Sequence, residues 1–298
     1  MNAVILGYGV VGKGIEILAK SLDDINIKYV YVRKEKENLP YFSNNEDMVV
    51  QDDIDIVFEC LNGLEPANTL IQKALKKGKH VISSNKAVVA TYLDTYLELE
   101  KEYGGSIQVE ACVAGGIPFI DALLKLKRLE PLQGYEGIFN GTSNYILDSM
   151  QKNNLDFEDV LKQAQDKGYA EKDPSNDIDG VDVYYKTKIS NSLAFNTPIV
   201  DIPYYAGIRT IKMLDIKFIK MNNKVLRHLS ISRQIGDKII SIIAPCCMDE
   251  SDFLANVPSN YNAQKILSHS FDTLGYYGQG AGQLPTAQAM VQNALDTL

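Results

Sequence analysis

Within its first twenty residues the chain passes from a short apolar run, residues 3–6, through Gly7-Tyr8-Gly9-Val10-Val11-Gly12 into apolar positions at helical spacing (Val10, Val11, Ile15, Leu18, Ala19). Strand, tight turn and helix in that order leave few folds open. The first glycine permits the turn, the second lets the backbone approach a diphosphate, and the third lets the helix lie close to the strand. A helix N-terminus adds unpaired N–H groups and a partial positive charge. Alone, a G-x-G-x-x-G match is weak, because glycines are common in turns. With a strand on one side and a helix and second strand on the other, it predicts a dinucleotide site contacted by Gly7, Tyr8, Gly9, Val10, Val11 and Gly12.

The pattern continues downstream. Residues 27–32 form a β-branched and aromatic run, the expected second strand, and 54–60 read as a further buried strand. A helix over 66–77 stops at Gly78, a short strand follows over 80–82, a helix over 92–103 ends at Gly104-Gly105, and 107–109 is strand-like. Strands alternating with helices predict an α/β fold, with a Rossmann-type parallel sheet covered on both faces. Ala114-Gly115-Gly116-Ile117-Pro118 then breaks the rhythm. Beyond it come a strand-like run at 134–139, helices near 143–151, 156–166 and 181–194, and strand-like runs at 225–233 and 239–244 around Gly236-Asp237. A sheet with helices beside it predicts an α+β second domain. The run 208–221 reads as an amphipathic helix, ordinary or interfacial, and Gly278-Gln279-Gly280-Ala281-Gly282 precedes a last helix over 286–295.

Composition narrows the function. The 298 residues carry a net charge of −8, which argues against nucleic-acid coating or a membrane-surface role, since both need a cationic face. No stretch approaches the ~18 apolar residues of a membrane span. The glycine motif at Gly7 leaves no room for a secretory leader. The four cysteines show no C-x-x-C pairing, so neither a zinc cage nor a disulfide framework is indicated and a reducing cytoplasm is expected. The three histidines form no metal or triad pattern, and His80 at a strand start reads as structural.

Two charged segments bear on chemistry. After the second strand stands Val32-Arg33-Lys34-Glu35-Lys36, where an acid would select NAD. Arg33 and Lys34 can instead meet a 2′-phosphate, which favours NADP and leaves NAD possible; a solvated charge run is the plain alternative. Residues 168–186 place Glu171, Asp173, Asp177, Asp179 and Asp182 within twelve residues and end on Lys186. Asp182 and Lys186, four apart, share one helix face, acid first. Either they form an ordinary surface pair, or the acids bind a substrate ammonium while Lys186 handles a proton. Spacing alone leaves both open.

Taken together, Gly7–Gly12, Ser84-Asn85-Lys86-Ala87, Glu110-Ala-Cys-Val-Ala-Gly-Gly-Ile-Pro118, Asn140-Gly-Thr-Ser-Asn-Tyr145, residues 168–186 and Gly278-Gln-Gly-Ala-Gly282 through Pro285-Thr286-Ala287 resemble homoserine dehydrogenase over nearly the whole chain, in that family's order. The resemblance implies NAD(P)-dependent interconversion of L-aspartate 4-semialdehyde and L-homoserine, in threonine, methionine and isoleucine biosynthesis. It implies Lys186 as the proton-transfer lysine, Asp182 as its acidic neighbour, and Lys86 between cofactor and substrate. Glu171 and Thr142 then line the substrate site, with Asp177 among its acids, and Gly282 contacts the cofactor. The backbone carbonyls of Glu110, Val113, Gly115 and Ile117 match positions that hold a monovalent cation, usually sodium. The implied organisation is a nucleotide-binding domain over 1–112 completed by 277–298, a catalytic and dimerisation domain over 113–276, and a homodimer. A C-terminal regulatory domain is not expected after the last helix. Tyr205-Ala-Gly-Ile departs from relatives with an acidic residue before that glycine. Two other readings stay open: a related amino-acid semialdehyde oxidoreductase, and a non-catalytic dinucleotide-sensing regulator.

Overall fold

The computed structural model describes residues 1–33 and 41–297. They divide into two compact units, Met1–Pro118 with the segment from Ala281 onward, and Phe119–Gly280. The expected division lay at 112/113 and 276/277. Lys34 falls outside the described residues.

The first unit holds β1 (Asn2–Leu6), α1 (Val10–Ala19), β2 (Asn26–Tyr31), β3 (Phe42–Ser43), β4 (Ile56–Glu59), α2 (Ala67–Leu75), β5 (His80–Ser83), α3 (Lys86–Tyr103) and β6 (Ser106–Gln108). Its sheet is parallel in the order β3-β2-β1-β4-β5-β6. The chain begins at the centre, works out to one edge and returns to the other side of β1. Between β1 and β4 the winding therefore reverses, and open α/β sheets take ligands beyond the strand ends at that point. Ala3, Val4, Ile5 and Leu6 are wholly buried, as a central strand covered on both faces requires.

The C-terminal helix, Gln283–Leu295, belongs to this unit and packs on α1. Ala287, Met290 and Ala294 share a core with Ile5, Ile15 and Phe58. The two helices meet closely because Gly14 has no side chain. A Cβ there would stand 2.8 Å from the Ala287 Cβ and 2.9 Å from the Gln283 carbonyl oxygen. The helix starts before the expected Thr286, since Pro285 lies in its first turn, where a missing N–H costs nothing.

The second unit contains α4 (Phe119–Leu126), β7 (Gly134–Ile138), α5 (Gly141–Asn153), α6 (Phe157–Asp166), α7 (Ser175–Ile178), α8 (Val181–Phe195), α9 (Met213–Met221), β8 (Lys224–Ile235), β9 (Lys238–Asp249), β10 (Asn262–Ser268) and β11 (Asp272–Gly278). Its sheet is antiparallel, in the order β11-β10-β7-β8-β9. α5, α6 and α9 close a core of Ile146, Met150, Val160, Ile178 and Ile216 with Leu226 of β8. Two differences from the expected elements have local causes. The helix expected over 208–221 is confined to Met213–Met221, because the Ile208 N–H is drawn to the Ile178 carbonyl (2.7 Å) and Asp215 caps the helix on the Lys212 N–H (2.8 Å). β11 went unread because its apolar residues do not alternate on an edge strand that is mostly exposed. Among the described residues no helix is long and apolar enough to cross a membrane.

Candidate active site

In the first unit the glycine turn is built as its spacing predicts. Gly7 follows β1 at φ +95°, where any Cβ is strained and would stand 2.9 Å from the Cys60 carbonyl oxygen. A Cβ on Gly12 would overlap the Gly7 carbonyl, so α1 can begin this close to the strand only with glycine there. Gly9 faces open space, with no atom within 4 Å of a Cβ built on it. It precedes α1, which has no side-chain cap and starts at exposed Val10, leaving its first amides for an anion. Half-buried Val11 packs against the first unit's core. Tyr8 is tied back: its hydroxyl donates to Glu16 on α1, and its ring meets Phe42 edge-on at 4.8 Å. The Glu16 carboxylate pushes the Tyr8 hydroxyl up to about 12, so it remains a donor. Arg33 is exposed just beyond β2, and Gly282 caps the C-terminal helix at φ +128°. This open, uncapped turn fits the diphosphate of a dinucleotide.

The neighbouring strand ends carry a polar cluster. Glu59, the last residue of β4, is fully buried and accepts from the Ser83 hydroxyl (2.6 Å) and the Leu61 N–H (2.8 Å). Burial pushes its carboxyl up to about 7. Asn85 caps α3 through the Val88 N–H (3.3 Å), which puts half-buried Lys86 at the helix start. Glu110, Val113, Gly115 and Ile117 are all buried in the turn between β6 and α4. Beside them Gly116 lets Pro285 approach, a Cβ there standing 3.0 Å from the proline's.

In the second unit, Lys186 and Asp182 sit on one face of α8. The Nζ lies 2.8 Å from the Asp182 Oδ2 and donates to the Phe139 carbonyl at 2.7 Å. Lys186 is 8% exposed and Asp182 5%, which excludes the surface-pair reading. Asn140, the cap of α5, joins the acids: its Nδ2 donates to Asp177 (2.7 Å) and Asp182 (2.9 Å), while its Oδ1 accepts the Ser143 N–H (2.8 Å). Burial and the nearby Asp182 raise the Asp177 carboxyl. Thr142, on the first turn of α5, donates to the Tyr169 carbonyl (2.6 Å). His228 on β8 lies 3.4 Å from the Ser143 hydroxyl and donates to the Ala206 carbonyl at 2.8 Å. Burial pushes its imidazole down to about 4, so it is neutral at pH 7 and supports the wall without moving protons.

The structure thus brings Asp177, Asp182 and Lys186 into one hydrogen-bonded set beside Thr142. Glu171 stands apart from that set: it is exposed, and its backbone carbonyl accepts from Gln165 (3.1 Å). Reading the sequence missed Asn140, although it opens the Asn-Gly-Thr motif, and it missed Glu59, which lies inside the run 54–60 read only as a buried strand.

A lysine ammonium has three donors. Among the described residues two of those on Lys186 go to Asp182 and Phe139, which leaves a third able to meet an oxygen of a small molecule. An ammonium held in this way can give a proton to a carbonyl oxygen, the step that accompanies hydride transfer.

Comparison with known proteins agrees. Residues 118–295 match the homoserine dehydrogenase family and residues 7–110 the homoserine dehydrogenase NAD-binding domain. A homoserine dehydrogenase of Neisseria gonorrhoeae is 38% identical over 84% of this chain and 58% of its own length. One of Lactococcus lactis is 33% identical over 98% and 72%. The chain therefore spans between about half and three quarters of these relatives' lengths. The crystal structure of a homoserine dehydrogenase from Thiobacillus denitrificans superposes with a TM-score of 0.93 at 34% identity, covering 99% of this chain and 72% of that one. With both halves matched in order, the chain belongs to the homoserine dehydrogenase family of NAD(P)-dependent oxidoreductases acting on a CH–OH group.

Proposed function

We propose that this chain interconverts L-aspartate 4-semialdehyde and L-homoserine with NADP as the preferred coenzyme, a step in threonine, methionine and isoleucine biosynthesis. The observation that carries the reading is the buried Lys186, fixed by Asp182 and the Phe139 carbonyl with one donor left over. When bound at the Gly7–Gly12 turn, the nicotinamide dinucleotide supplies or accepts the hydride. The chain's residues do the rest. Lys186 gives its remaining proton to the aldehyde oxygen in reduction and takes the hydroxyl proton in oxidation. Asp182 holds that ammonium in place, and Asn140 holds Asp182. Asp177 offers negative charge to the substrate ammonium, a role the resemblance also gives to Glu171 although it stands outside the hydrogen-bonded set; Thr142 lines the substrate site, and Lys86 serves both coenzyme and substrate. Fixing the reacting oxygen at Lys186 removes much of the entropic barrier.

The NADP preference rests on Arg33 beyond β2, where an acid would favour NAD. The buried turn with the carbonyls of Glu110, Val113, Gly115 and Ile117 is assigned to a monovalent cation, sodium in this reading. A cytoplasmic homodimer accompanies it, in keeping with the free thiols of Cys60, Cys112, Cys246 and Cys247. The test is homoserine-dependent reduction of NADP and NAD measured side by side. Turnover with NADP at the lower KM supports the reading; coenzyme binding without turnover of homoserine or any semialdehyde turns it toward a regulator.

A further inference from the structure

A buried carboxyl closes the ends of β4 and β5, and none of the roles above uses it. The oxygens of Glu59 collect donors from two neighbouring segments. From the loop after β4 comes the Leu61 N–H (2.8 Å); from the last residue of β5 comes the Ser83 hydroxyl (2.6 Å), and from the loop after it the Asn85 Nδ2 (3.5 Å). Asn85 ties the loops a second time, donating from Nδ2 to the Gly63 carbonyl (2.8 Å). Its N–H donates to the Ser83 Oγ (3.1 Å) and its Oδ1 takes the Val88 N–H (3.3 Å). Every group facing the carboxyl is thus a donor, which suits an acceptor-only carboxylate. The other titratable groups packed around it are Cys60, Tyr96 on α3, and Cys112, whose thiol donates to the Ser83 carbonyl (3.1 Å). Burial raises all three, so they stay neutral at pH 7, while the charges of Lys86 and Glu110 reach Cys112.

We propose that Glu59 is a positioning residue for the reaction: its carboxylate holds Ser83 and Asn85, and through them sets the first turn of α3 that carries Lys86. The inference rests on the role given to Lys86 above. A proton on Glu59 removes the charge that strengthens these three bonds, which loosens the same segments.

The test compares the whole chain with Glu59→Gln, which keeps shape and removes charge. Amide exchange, corrected for intrinsic rates, is read without coenzyme at pH 8.5. The Asn85 and Val88 amides should lose protection about tenfold, the scale of a hydrogen bond to a charged group. The Ser84 amide, bonded to the Glu59 backbone carbonyl at 3.0 Å, should keep its protection. In turnover, kcat should fall about tenfold while the coenzyme KM stays within about twofold. The wild-type kcat should rise from pH 6 to 8.5, and the variant should lose that rise. Ser83→Ala, which deletes the shortest donor, should reproduce the kcat loss and carries the test if Glu59→Gln fails to fold. Unchanged protection at Asn85 and Val88, equal loss at Ser84, or an unchanged kcat and pH profile would overturn the proposal. A wild type that turns over no homoserine, with the local exchange pattern intact, would overturn the functional reading and leave the clamp supported.

Discussion

The proton on Lys186 is placed by two acceptors, and removing either side of this arrangement has a different consequence. Lys186→Ala deletes the donor and leaves the first unit's glycine turn untouched. Turnover should fall ~10²–10⁴-fold with coenzyme affinity preserved, the usual scale of general acid–base help. Steady-state rates beside reduced-coenzyme fluorescence titration check it, and near-normal rates would remove the assignment. Asp182→Asn instead strands a buried ammonium, which costs about 3 kcal/mol or more in stability. Its melting midpoint should fall several degrees below that of the wild type, along with its rate. The sequence showed that Asp182 and Lys186 share a helix face; it did not show that the face is buried, because burial depends on Phe139 and Asn140 arriving from another part of the chain. Glu59 was illegible for the same reason: its partners are Ser83 and Asn85, twenty-four and twenty-six residues away.

The strand, turn and helix at the N-terminus were read correctly because the spacing that marks them is local. Their glycines, however, do different work, and substitution separates them. Gly9→Ala adds a methyl into open space, so the thermal midpoint should hardly move. That methyl stands where a diphosphate must approach, and coenzyme affinity should fall at least tenfold, read by fluorescence titration. Gly14→Val drives side-chain atoms into Ala287 and Gln283, pushing the C-terminal helix off α1. Overpacking of that kind costs about 1–3 kcal/mol, visible as a lower melting midpoint. Nothing in the Gly14 pattern predicted this partner, since the contact joins residues about two hundred and seventy apart. β11 and α4 were missed for a related reason. An edge strand without alternation and a helix directly after Pro118 are stabilised by what they pack on more than by their own periodicity.

At the scale of the molecule, each compact unit buries groups whose charged form is disfavoured, and two of them, Glu59 and His228, have opposite chemistry. In the first unit Glu59 titrates near 7 folded against 4.5 unfolded. Between those values the folded state holds the extra proton, so this unit loses stability as pH rises from 4.5 to 7. In the second unit His228 titrates near 4 folded against 6.5 unfolded. There the unfolded state holds the extra proton, so stability grows as pH rises from 4 to 6.5. Each shift corresponds to about 3 kcal/mol when fully expressed. Paired variants isolate the two effects from other titrations. The stability advantage of the wild type over Glu59→Gln should shrink between pH 5 and 8. Its advantage over His228→Asn should grow between pH 4 and 6.5. Scanning calorimetry resolves this as opposite drifts of the two gaps; if both gaps moved in the same direction with pH, the burial of one of these groups would be wrong. If the drift is seen, the first unit gives up stability to ionise Glu59, and the clamp on Ser83 and Asn85 is what that loss supports.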